Sequence, residues 1–433
     1  MKTLNIGLIG LGVVGTGLVR IVNANQQLLQ EKIGAKLNIA MIGVKDIDKK
    51  RDIETGSAII TTDFNEIINN EKIDIIVELV GGIEPALTIA TATLKKKLPL
   101  VTANKALLAA CSTEIFTLAN EVQRPVLYEA AVAGVIPIIR SLSFSFAAEE
   151  LTAMYGIVNG TCNYVLTQMS KKNSSYKDAL EDAKQLGFAE SDPTLDVNGQ
   201  DSAHKMALLA SIGYNRTIDC SKIYVEGIEN IELIDIEIAS EFNMTLKLFG
   251  IAQKVGDDYL DIRVHPAMAP LDHPIANIDG SLNAISLNGK FIGQNLLVGP
   301  GAGSNPTASA VLGDIIEIAN GISKSNGNKY LLGSRHAITK SAKILPIEQI
   351  QSEYYIRFQV PDRPGALASL TKPLGEHNIS VESMIQRGRE YNRPVSVVLT
   401  THTASEKDLN LALSKIEKSK LLLQKPVVIR MLM

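Results

Sequence analysis

Hydrophobic and polar positions in the first third of the chain form short apolar runs that alternate with helical stretches. The apolar runs, which are typical of buried strands, are residues 4–9, 37–44, 73–79 and 126–128. Helical patterns follow at residues 16–30 and from Pro85 to about residue 97, where proline suits the first helical turn. Strands that alternate with helices predict an α/β fold with a parallel sheet.

The middle of the chain continues with strands and helices of mixed order. A strand at residues 151–158 leads into a turn and a helix at 159–169. Asn198 and Gly199 are suitable residues for starting a helix that is apolar on nearly all sides and therefore predicted to be buried. The later predicted elements are strands at 262–264, 284–287 and 290–293, a glycine-rich turn at 299–306 and a helix at 307–319.

The last eighty or so residues follow a different order of elements. Strands are predicted at residues 354–360, 379–386, 395–400 and 427–431, and helices at 365–376 and 407–418. The order βαββαβ predicts a ferredoxin-like module. The preceding residues 323–343 are polar and interrupted by glycine, which predicts a loop or linker.

Composition adds limits on the class of protein. The chain has 433 residues, 45% of them hydrophobic, and a net charge of −3, which argues against nucleic-acid or membrane-surface partners. Its three cysteines are few and odd in number, which argues against a disulfide framework and predicts a reducing compartment such as the cytoplasm. The first residues match no cleavable signal, and no run is long enough to span a membrane.

A glycine motif follows the first predicted strand. Gly10, Gly12 and Gly15 with Val13 and Val14 form the spacing G-x-G-x-x-G between a strand and a helix. Glycines there permit a tight turn and close approach of a pyrophosphate to the helix N-terminus, so a dinucleotide-binding Rossmann-like domain is predicted. The alternative is a glycine turn in an α/β domain that binds another ligand.

Charges at the end of the second strand bear on the choice of dinucleotide. Lys45 stands there, and Lys49, Lys50 and Arg51 follow closely. A cation suits the 2′-phosphate of NADP, whereas the adjacent Asp46 would suit the ribose hydroxyls of NAD. NADP is therefore favoured, NAD remains open, and an ordinary solvated loop is the alternative.

An acid and a base extend the apolar face of the buried helix. Asp201 and Lys205 stand four residues apart and share one face, with Glu190, Asp192 and Asp196 in the segment before them. Carboxylates around a buried lysine hold an ammonium group and tune a proton donor. The alternative is a surface ion pair of little consequence. Lys105, in a polar loop after a predicted strand, is a second candidate cation near the nicotinamide.

The motifs as a set resemble homoserine dehydrogenase, in its monofunctional form with a C-terminal ACT domain. The resemblance covers essentially the whole chain, and Asp201-x-x-x-Lys205 after residues 189–193 is its most specific part. The matching segments are residues 10–15, 81–85, 102–105, 129–137, 159–166, 187–205 and 299–303, with 361–367 and Asn378 in the ACT-like module. The resemblance implies a catalytic and dimerisation domain of α+β class with a mixed sheet.

The expected domains follow from these elements and from the resemblance. They are a NAD(P)-binding domain at residues 1–136 to which 305–322 return, a catalytic domain at 137–304, a linker at 323–352 and an ACT domain at 353–433.

The resemblance implies a reaction and residue roles. The reaction interconverts L-homoserine and L-aspartate 4-semialdehyde with NAD(P), in threonine, methionine and isoleucine biosynthesis. Lys205 is implied as general acid/base, Lys105 as a second catalytic lysine beside the cofactor, and Glu190 and Asp201 as substrate ligands. Gly187 and Gly303 are implied as cofactor contacts, and a sodium site is implied at Glu129, Val132, Gly134 and Ile136.

The resemblance also implies an assembly and a regulator. A homodimer or homotetramer is expected, and threonine is a possible effector of the ACT-like module. Cys162 departs from the threonine common in the family at that position.

Two other functions compete at this stage. An acylating semialdehyde dehydrogenase would use Cys162 as its nucleophile, which requires a basic partner to form the thiolate. A non-enzymatic amino-acid sensor would keep the cofactor fold as a scaffold, and the C-terminal module fits that function. The glycine motif, both lysines and the acid cluster together favour the dehydrogenase.

Overall fold

A computed structural model describes residues 2–324, 338, 340–387 and 394–432. Residues 325–337 and 339, within the segment predicted as a linker, lie outside the described residues.

The first part of the chain forms the predicted parallel sheet. Its strands are β1 (Thr3–Ile9), β2 (Lys36–Gly43), β3 (Ile59–Thr61), β4 (Ile75–Glu78), β5 (Leu100–Thr102) and β6 (Val126–Leu127). The six strands are ordered β3-β2-β1-β4-β5-β6, and every pair is parallel. The strand order reverses beside β1, which opens a crevice at the carboxyl ends of β1 and β4 where such sheets bind ligands.

Helices pack on both faces of this sheet. They are α1 (Val13–Ala24), α2 (Gln26–Ile33), α3 (Phe64–Ile68), α4 (Ala86–Lys95) and α5 (Lys105–Val122). The single helix predicted at residues 16–30 is wrong, because α1 and α2 are separate helices. Between them Asn25 leaves helical geometry and both its backbone N–H and its side-chain amide donate to Ile21 O. A side chain that competes for helix carbonyls explains the break.

The central part of the chain contributes helices and a second, mixed sheet. The helices are α6 (Ile138–Arg140), α7 (Gly160–Lys172), α8 (Tyr176–Gln185), α9 (Thr194–Val197), α10 (Gln200–Tyr214), α11 (Leu233–Glu241) and α12 (Ser304–Lys324). The strands are β7 (Leu151–Ile157), β8 (Tyr224–Val225), β9 (Met244–Val255), β10 (Tyr259–Pro270), β11 (Leu282–Gly289) and β12 (Gly293–Pro300). The antiparallel order is β12-β11-β7-β9-β10, and β8 pairs in parallel with β10.

One predicted strand of this region is wrong. Residues 290–292 form the turn between β11 and β12. Phe291 is mostly exposed, and the backbone N–H groups of Phe291 and Ile292 each donate to the Glu149 carboxylate at 3.0 Å. The apolar pair thus belongs to a turn that a distant acid holds, which a local apolar run cannot reveal.

The C-terminal part has the predicted βαββαβ order. Its elements, after the short β13 (Lys343–Ile344), are β14 (Gln351–Pro361), α13 (Ala366–Glu376), β15 (Val381–Arg387), β16 (Pro394–Thr401), β17 (Ala404–Ser405), α14 (Glu406–Lys418) and β18 (Val427–Met431). The antiparallel order β18-β14-β16-β15 is that of a ferredoxin-like sheet. Leu370, Leu374, Leu409 and Ile416 from the two helices lie in its core.

The C-terminal sheet continues into the central one. β18 pairs in parallel with β10, with Ala267 opposite Arg430, so both belong to one twelve-stranded sheet in the described residues. Two buried arginines reinforce this junction: Arg357 pairs with Asp235, and Arg430 pairs with Glu226 and Glu406.

The helix α12 returns to the first sheet. Its residues Ala308, Val311 and Ile315 share a core with Leu4 and Leu18 of β1 and α1. Within the described parts of the chain, every helix is too short or too polar to cross a lipid bilayer.

Candidate active site

A long and largely buried helix carries the central ion pair. α10 begins after Gly199, and Asp201 and Lys205 lie one turn apart on it. Asp201 Oδ2 lies 2.6 Å from Lys205 Nζ, which also donates to Val158 O at 2.7 Å. The Lys205 side chain is 14% exposed and that of Asp201 8%. Two protein oxygens therefore occupy two of the three donor positions of this ammonium group, and a third is left for a ligand.

The second lysine comes from the other sheet. Lys105 is the first residue of α5, directly beyond the carboxyl end of β5. Its Nζ forms an ion pair with Asp201 Oδ1, so one carboxylate holds both lysines. Asn104 caps α5 by accepting from Leu107 N at 3.1 Å and donates to Gly82 O at 2.7 Å, which fixes the turn that presents Lys105.

A fully buried carboxylate supports that turn. Glu78, at the end of β4, accepts from Thr102 Oγ1 at 2.6 Å and from Val80 N at 2.8 Å. Thr102 Oγ1 in turn accepts from Asn104 N at 3.0 Å. Sequence reasoning did not identify Glu78, although an acid at the end of an apolar strand was visible.

A polar residue at the end of β7 joins the acids of the cluster. Asn159 Nδ2 donates to Asp196 Oδ1 at 2.7 Å and to Asp201 Oδ2 at 3.0 Å. Its Oδ1 accepts from Cys162 N at 2.8 Å and so caps α7. The sequence placed Asn159 in a turn before a helix but gave no information on the two carboxylates that its amide contacts.

Burial lowers the pKa of both lysines. The pKa of Lys205 falls to about 8 mainly because desolvation penalises its charged form, and Asp196 and Cys162 oppose the fall. The pKa of Lys105 also falls to about 8, through desolvation and repulsion from Lys205. Each amine therefore exchanges a proton near neutral pH, as a general acid or base requires.

Glu190 and Gly187 lie at the rim of this cluster. Glu190 is exposed and acts on Lys105 through charge, while no hydrogen bond or ion pair among the described residues joins it to Lys105 or Lys205. Gly187 ends α8 in a left-handed conformation with open space around its Cα. Thr161 Oγ1 donates to Phe188 O at 2.6 Å, which ties this rim to the start of α7.

The N-terminal glycine turn has the shape of a phosphate cradle. A Cβ on Gly10 would stand 2.5 Å from Leu79 O, and one on Gly15 would stand 2.2 Å from Gly10 O, so neither position accepts a side chain. Gly12 has open space instead, Val13 is 71% exposed, and no side chain caps α1. The free N–H groups at the start of α1 fit an anion such as a pyrophosphate.

The second glycine turn borders the same cradle. Gly303 precedes α12, and Ser304 Oγ donates to Val13 O at 2.7 Å. Gly17 of α1 lies against Ser304, where an added Cβ would come within 2.7 Å of its hydroxyl. The structure thus brings the turn that contains Gly303 beside Val13.

The loop beyond β2 presents several cations. Lys45 is exposed, whereas the Arg51 guanidinium donates to the carbonyls of Asp46 and Lys49, each at 2.8 Å. The Asp46 carboxylate accepts from Asp48 N at 2.9 Å. Both Arg51 and Asp46 therefore help to shape the loop, and Lys45 is the first exposed cation after the carboxyl end of β2.

The segment around Glu129 is a compact turn. Glu129 is 3% exposed and accepts from the backbone N–H groups of Ile139 at 2.7 Å and Arg140 at 2.9 Å. Ile136 O accepts from Ile138 N at 2.7 Å, and Gly134 packs against Pro300. The four residues of the implied sodium site thus lie in one turn.

Cys162 has none of the properties of a nucleophile. It is fully buried at the start of α7, and its thiol donates to Asp196 O at 3.2 Å. Burial and the nearby Asp196 charge raise the pKa of the thiol well above its usual range. An acylating mechanism through Cys162 is therefore excluded by its surroundings.

Family models match each part of the chain. The model described as homoserine dehydrogenase, NAD binding domain, matches residues 10–129, the model described as homoserine dehydrogenase matches 137–316, and an ACT domain model matches 354–420. A homoserine dehydrogenase of Helicobacter pylori is 39% identical over 430 residues, which cover 99% of each chain. That of Bacillus subtilis is 35% identical over 412 residues, covering 95% of this chain and 94% of the relative.

Solved structures give the same result. A homoserine dehydrogenase from Thiobacillus denitrificans superposes with a TM-score of 0.92 at 35% identity, covering 100% of this chain and 98% of that one. A hyperthermophilic archaeal homoserine dehydrogenase in complex with NADPH has a TM-score of 0.61 at 26% identity, covering 73% of this chain and 98% of that one. The chain belongs to the homoserine dehydrogenase family, oxidoreductases that act on a CH–OH group, and it combines a nicotinamide-cofactor domain with a C-terminal ACT domain.

Proposed function

We propose that this enzyme interconverts L-homoserine and L-aspartate 4-semialdehyde with Lys205 as the proton donor and acceptor. The observation that carries the proposal is the Asp201 carboxylate, which holds Lys205 of α10 and Lys105 of α5 at the edge of the cofactor sheet. Two amines of lowered pKa thus stand where a parallel sheet binds its ligand.

The proton follows a short path in this proposal. A bound nicotinamide cofactor supplies or accepts the hydride at the carbon that bears the oxygen. During reduction of the aldehyde the carbonyl oxygen gains negative charge, and the Lys205 ammonium donates a proton to it, leaving a neutral amine and an alcohol. During oxidation the neutral amine accepts the hydroxyl proton. Val158 O and Asp201 Oδ2 fix Lys205 Nζ, so that its remaining N–H points to the substrate oxygen.

Substrate recognition is assigned to acids near the two lysines. Both reactants carry an α-ammonium and an α-carboxylate, so they need negative and positive partners in the same cleft. Asp201 and the exposed Glu190 supply negative charge, and Lys105 supplies positive charge for the carboxylate or the developing alkoxide. Lys105 leaves two donors beyond its contact with Asp201, which supports a direct role in binding.

The glycine cradle fits the dinucleotide. Gly10, Gly12 and Gly15 with the uncapped start of α1 would hold the pyrophosphate, and Val13, Val14 and Gly303 border it. Gly187, at the rim of the acid cluster, would contact the nicotinamide end. NADP is preferred over NAD in this proposal because exposed Lys45 suits a 2′-phosphate while Asp46 is used within its own loop.

A sodium ion is assigned to the turn around Glu129. The Glu129 carboxylate and the carbonyls of Val132, Gly134 and Ile136 form an all-oxygen donor set, which suits a hard cation. The carbonyl oxygen of Ile136 accepts one backbone hydrogen bond, which leaves its second lone pair for a cation. A higher melting temperature in sodium chloride than in tetramethylammonium chloride, lost in Glu129→Gln, would support the site. Equal melting temperatures in both salts would contradict the assignment of a sodium site.

The ACT domain is proposed to bind threonine as a feedback effector. Its first loop, between β14 and α13, carries the exposed Arg363 and the partly buried Asp362, and Gly365 starts α13 without a side-chain cap. Its sheet joins the catalytic sheet directly, so a ligand-induced shift has a route to the active site. Calorimetric titration with threonine tests this role, and no heat at millimolar threonine would contradict it.

The assembly is proposed to be a homodimer, or a tetramer if ACT domains also pair. Two exposed apolar residues at the β11–β12 edge of the large sheet, Leu282 and Val298, support a subunit interface. Light scattering of the purified chain gives the mass of the assembly directly, and a monomer would contradict the proposal.

The domain division is likewise proposed from packing. One face of the parallel sheet and the returning helix, including Leu4, Leu18 and Val311, share one core, which supports assigning residues 1–136 and 305–322 to the cofactor domain, with 137–304 as the catalytic domain. Residues 323–352 are assigned to the linker and 353–433 to the ACT domain, whose helices and strands share a separate core.

One assay tests the proposed activity. Purified enzyme should consume NADPH, followed by its absorbance, when L-aspartate 4-semialdehyde is added. No consumption with either NADPH or NADH, by a folded protein that binds the cofactor, would contradict the proposal and favour a sensor.

A further inference from the structure

Asn159 stands at the point where the strand β7 meets the acid cluster. One of its side-chain atoms, Nδ2, contacts two carboxylates, and the other, Oδ1, caps α7. The side chain is almost fully buried, so solvent does not replace any of these contacts. The orientation of the amide is forced by chemistry, because a flipped amide would place its oxygen against Asp196 and Asp201 and its NH2 against the N–H of Cys162.

The amide has two protons, and each has its own carboxylate. Asp196 Oδ1 accepts at 2.7 Å and Asp201 Oδ2 at 3.0 Å. Asp201 Oδ2 is also the oxygen that lies 2.6 Å from Lys205 Nζ. The rotation of the Asp201 carboxylate about its own axis is therefore fixed by Asn159 and Lys205 at Oδ2 and by Lys105 at Oδ1.

The residue before Asn159 contacts the same lysine. Val158 O accepts from Lys205 Nζ at 2.7 Å, so the end of β7 holds the amine directly through one residue and indirectly through the next. A rigid strand end is a suitable support for a group that must be held within a fraction of an ångström.

We propose that Asn159 is a positioning residue that holds Asp196 and Asp201 in the orientation that directs Lys205 at the substrate oxygen. The inference rests on the proposed function. Asn159 acts through Asp201 and contacts no reacting atom. The Asn159 amide is neutral, so it donates hydrogen bonds to both Asp196 and Asp201 without adding a charge beside Lys205.

Several other charged or titratable groups surround this point. They are Lys105 on α5, Glu190 and Asp196 before α10, His204 on α10, Cys162 on α7 and Glu229 beyond β8. A change at Asn159 that adds negative charge favours the protonated form of Lys205 relative to this background.

Two variants separate positioning from helix capping. Asn159→Ser keeps a good N-cap but removes the amide donors. We expect kcat for aldehyde reduction to fall about 100-fold, as for a displaced catalytic group, with NADPH affinity from fluorescence changed less than about twofold. Asn159→Asp keeps the cap and the size but turns donors into acceptors. Its alkaline fall in kcat should move to higher pH by about one unit.

Asn163→Ser is the matched control, since Asn163 is buried in the same helix and donates to Ile278 O and Leu282 O. It should lower the melting temperature and leave the pH profile of kcat in place. Wild-type kcat in Asn159→Ser, or an unshifted pH profile in Asn159→Asp, would overturn the inference, and so would the same kcat loss in Asn163→Ser. An inactive wild-type enzyme would instead overturn the proposed function, and the inference with it.

Discussion

Lys105 and Asp201 are 96 positions apart in the chain, yet they form an ion pair at the centre of the site. Lys105 begins α5 of the parallel sheet, and Asp201 lies in the first turn of α10 beside the mixed sheet. Asp201 also holds Lys205, so this carboxylate joins the first helix after β5 of the parallel sheet to a helix beside the mixed sheet.

Replacing Lys205, the proposed proton donor, should abolish most of the activity. Lys205→Met keeps the length of the side chain and removes its proton, so kcat should fall by about 10²- to 10⁴-fold, the usual contribution of general acid–base catalysis. Binding of NADPH should remain within about threefold, because the cradle at Gly10–Gly15 is separate from Lys205. Steady-state kinetics and fluorescence titration measure the two effects.

A second buried lysine provides the control for that experiment. Lys247 is 2% exposed, and its Nζ donates to Asn163 Oδ1 and Asp279 Oδ1. It has no proposed role in catalysis or binding. Lys247→Met should lower the melting temperature and leave kcat within a few-fold of wild type. Comparable kcat losses in both variants would show that burial of a lysine, not catalysis, explains the effect.

The two directions of the reaction should depend oppositely on pH. Because the pKa of Lys205 is about 8, its ammonium form predominates below pH 8 and its neutral form above it. Reduction of the aldehyde needs the ammonium, so kcat should fall about tenfold per unit at higher pH, whereas oxidation needs the amine, so kcat should rise up to about pH 8.

The variant Lys105→Arg separates the contribution of Lys205 to the pH dependence of kcat from that of Lys105. The pKa of Lys105 is also about 8, but arginine stays charged over the whole range. The Lys105→Arg profile should therefore retain a bend near pH 8 that Lys205→Met lacks. A bend that disappears in Lys105→Arg would assign the titration to Lys105 instead.

Local spacing predicted much of this site. The four-residue separation of Asp201 and Lys205 placed them on one helix face, and an apolar face around them predicted burial, which the structure has. The G-x-G-x-x-G motif and the βαββαβ order predicted the folds that the structure contains. Such features are local, because helix geometry and turn chemistry fix which neighbours along the chain meet.

Local spacing along the chain did not predict the contacts between distant segments. The capping of α7 by Asn159 is a local contact that the sequence indicates. The two carboxylates that its amide contacts belong to α9 and α10, and only tertiary packing places them beside Asn159. The exposure of Glu190 and the pairing of β18 with β10 depend equally on how whole elements dock. A single sequence contains no period or spacing that reports such docking.

Cofactor preference should change on removal of one exposed cation. Lys45→Ala should raise the KM for NADPH about tenfold, the magnitude of a lost charged hydrogen bond, and change the KM for NADH less than about twofold. Lys36→Ala is the control, since Lys36 is exposed at the opposite end of β2. Equal effects of Lys45→Ala on both cofactors would contradict the assignment of Lys45 to the 2′-phosphate.

Alkylation of cysteine with iodoacetamide should leave the activity of the native enzyme nearly unchanged. All three cysteines have raised pKa values, chiefly through burial, so each is a protonated thiol at neutral pH. Iodoacetamide should therefore reduce kcat less than about twofold in the native state, while mass spectrometry of the unfolded chain shows complete alkylation. Rapid inactivation that tracks modification of Cys162 would contradict this expectation.

The junction between the catalytic sheet and the ACT domain should depend on a buried ion pair. Arg357 of β14 is 2% exposed and donates through Nε to Asp235 Oδ1 at 2.7 Å, and Tyr355 donates to the same oxygen at 2.7 Å. Asp235→Leu leaves this arginine with Glu232 alone, at 3.0 Å. Loss of one buried partner costs about 3–5 kcal/mol, so the melting temperature should fall by roughly 10 °C.

Removing both charges should cost less than removing one. In Asp235→Leu with Arg357→Met no uncompensated arginine remains buried, and apolar side chains of similar size fill the space, so calorimetry should show a higher melting temperature than in Asp235→Leu alone. Lys415→Met is the control, because its pair with Glu376 is half exposed and should contribute less than about 1 kcal/mol. If the double variant melts below Asp235→Leu, the ion pair stabilises the junction beyond its desolvation cost, and the expected sign is wrong.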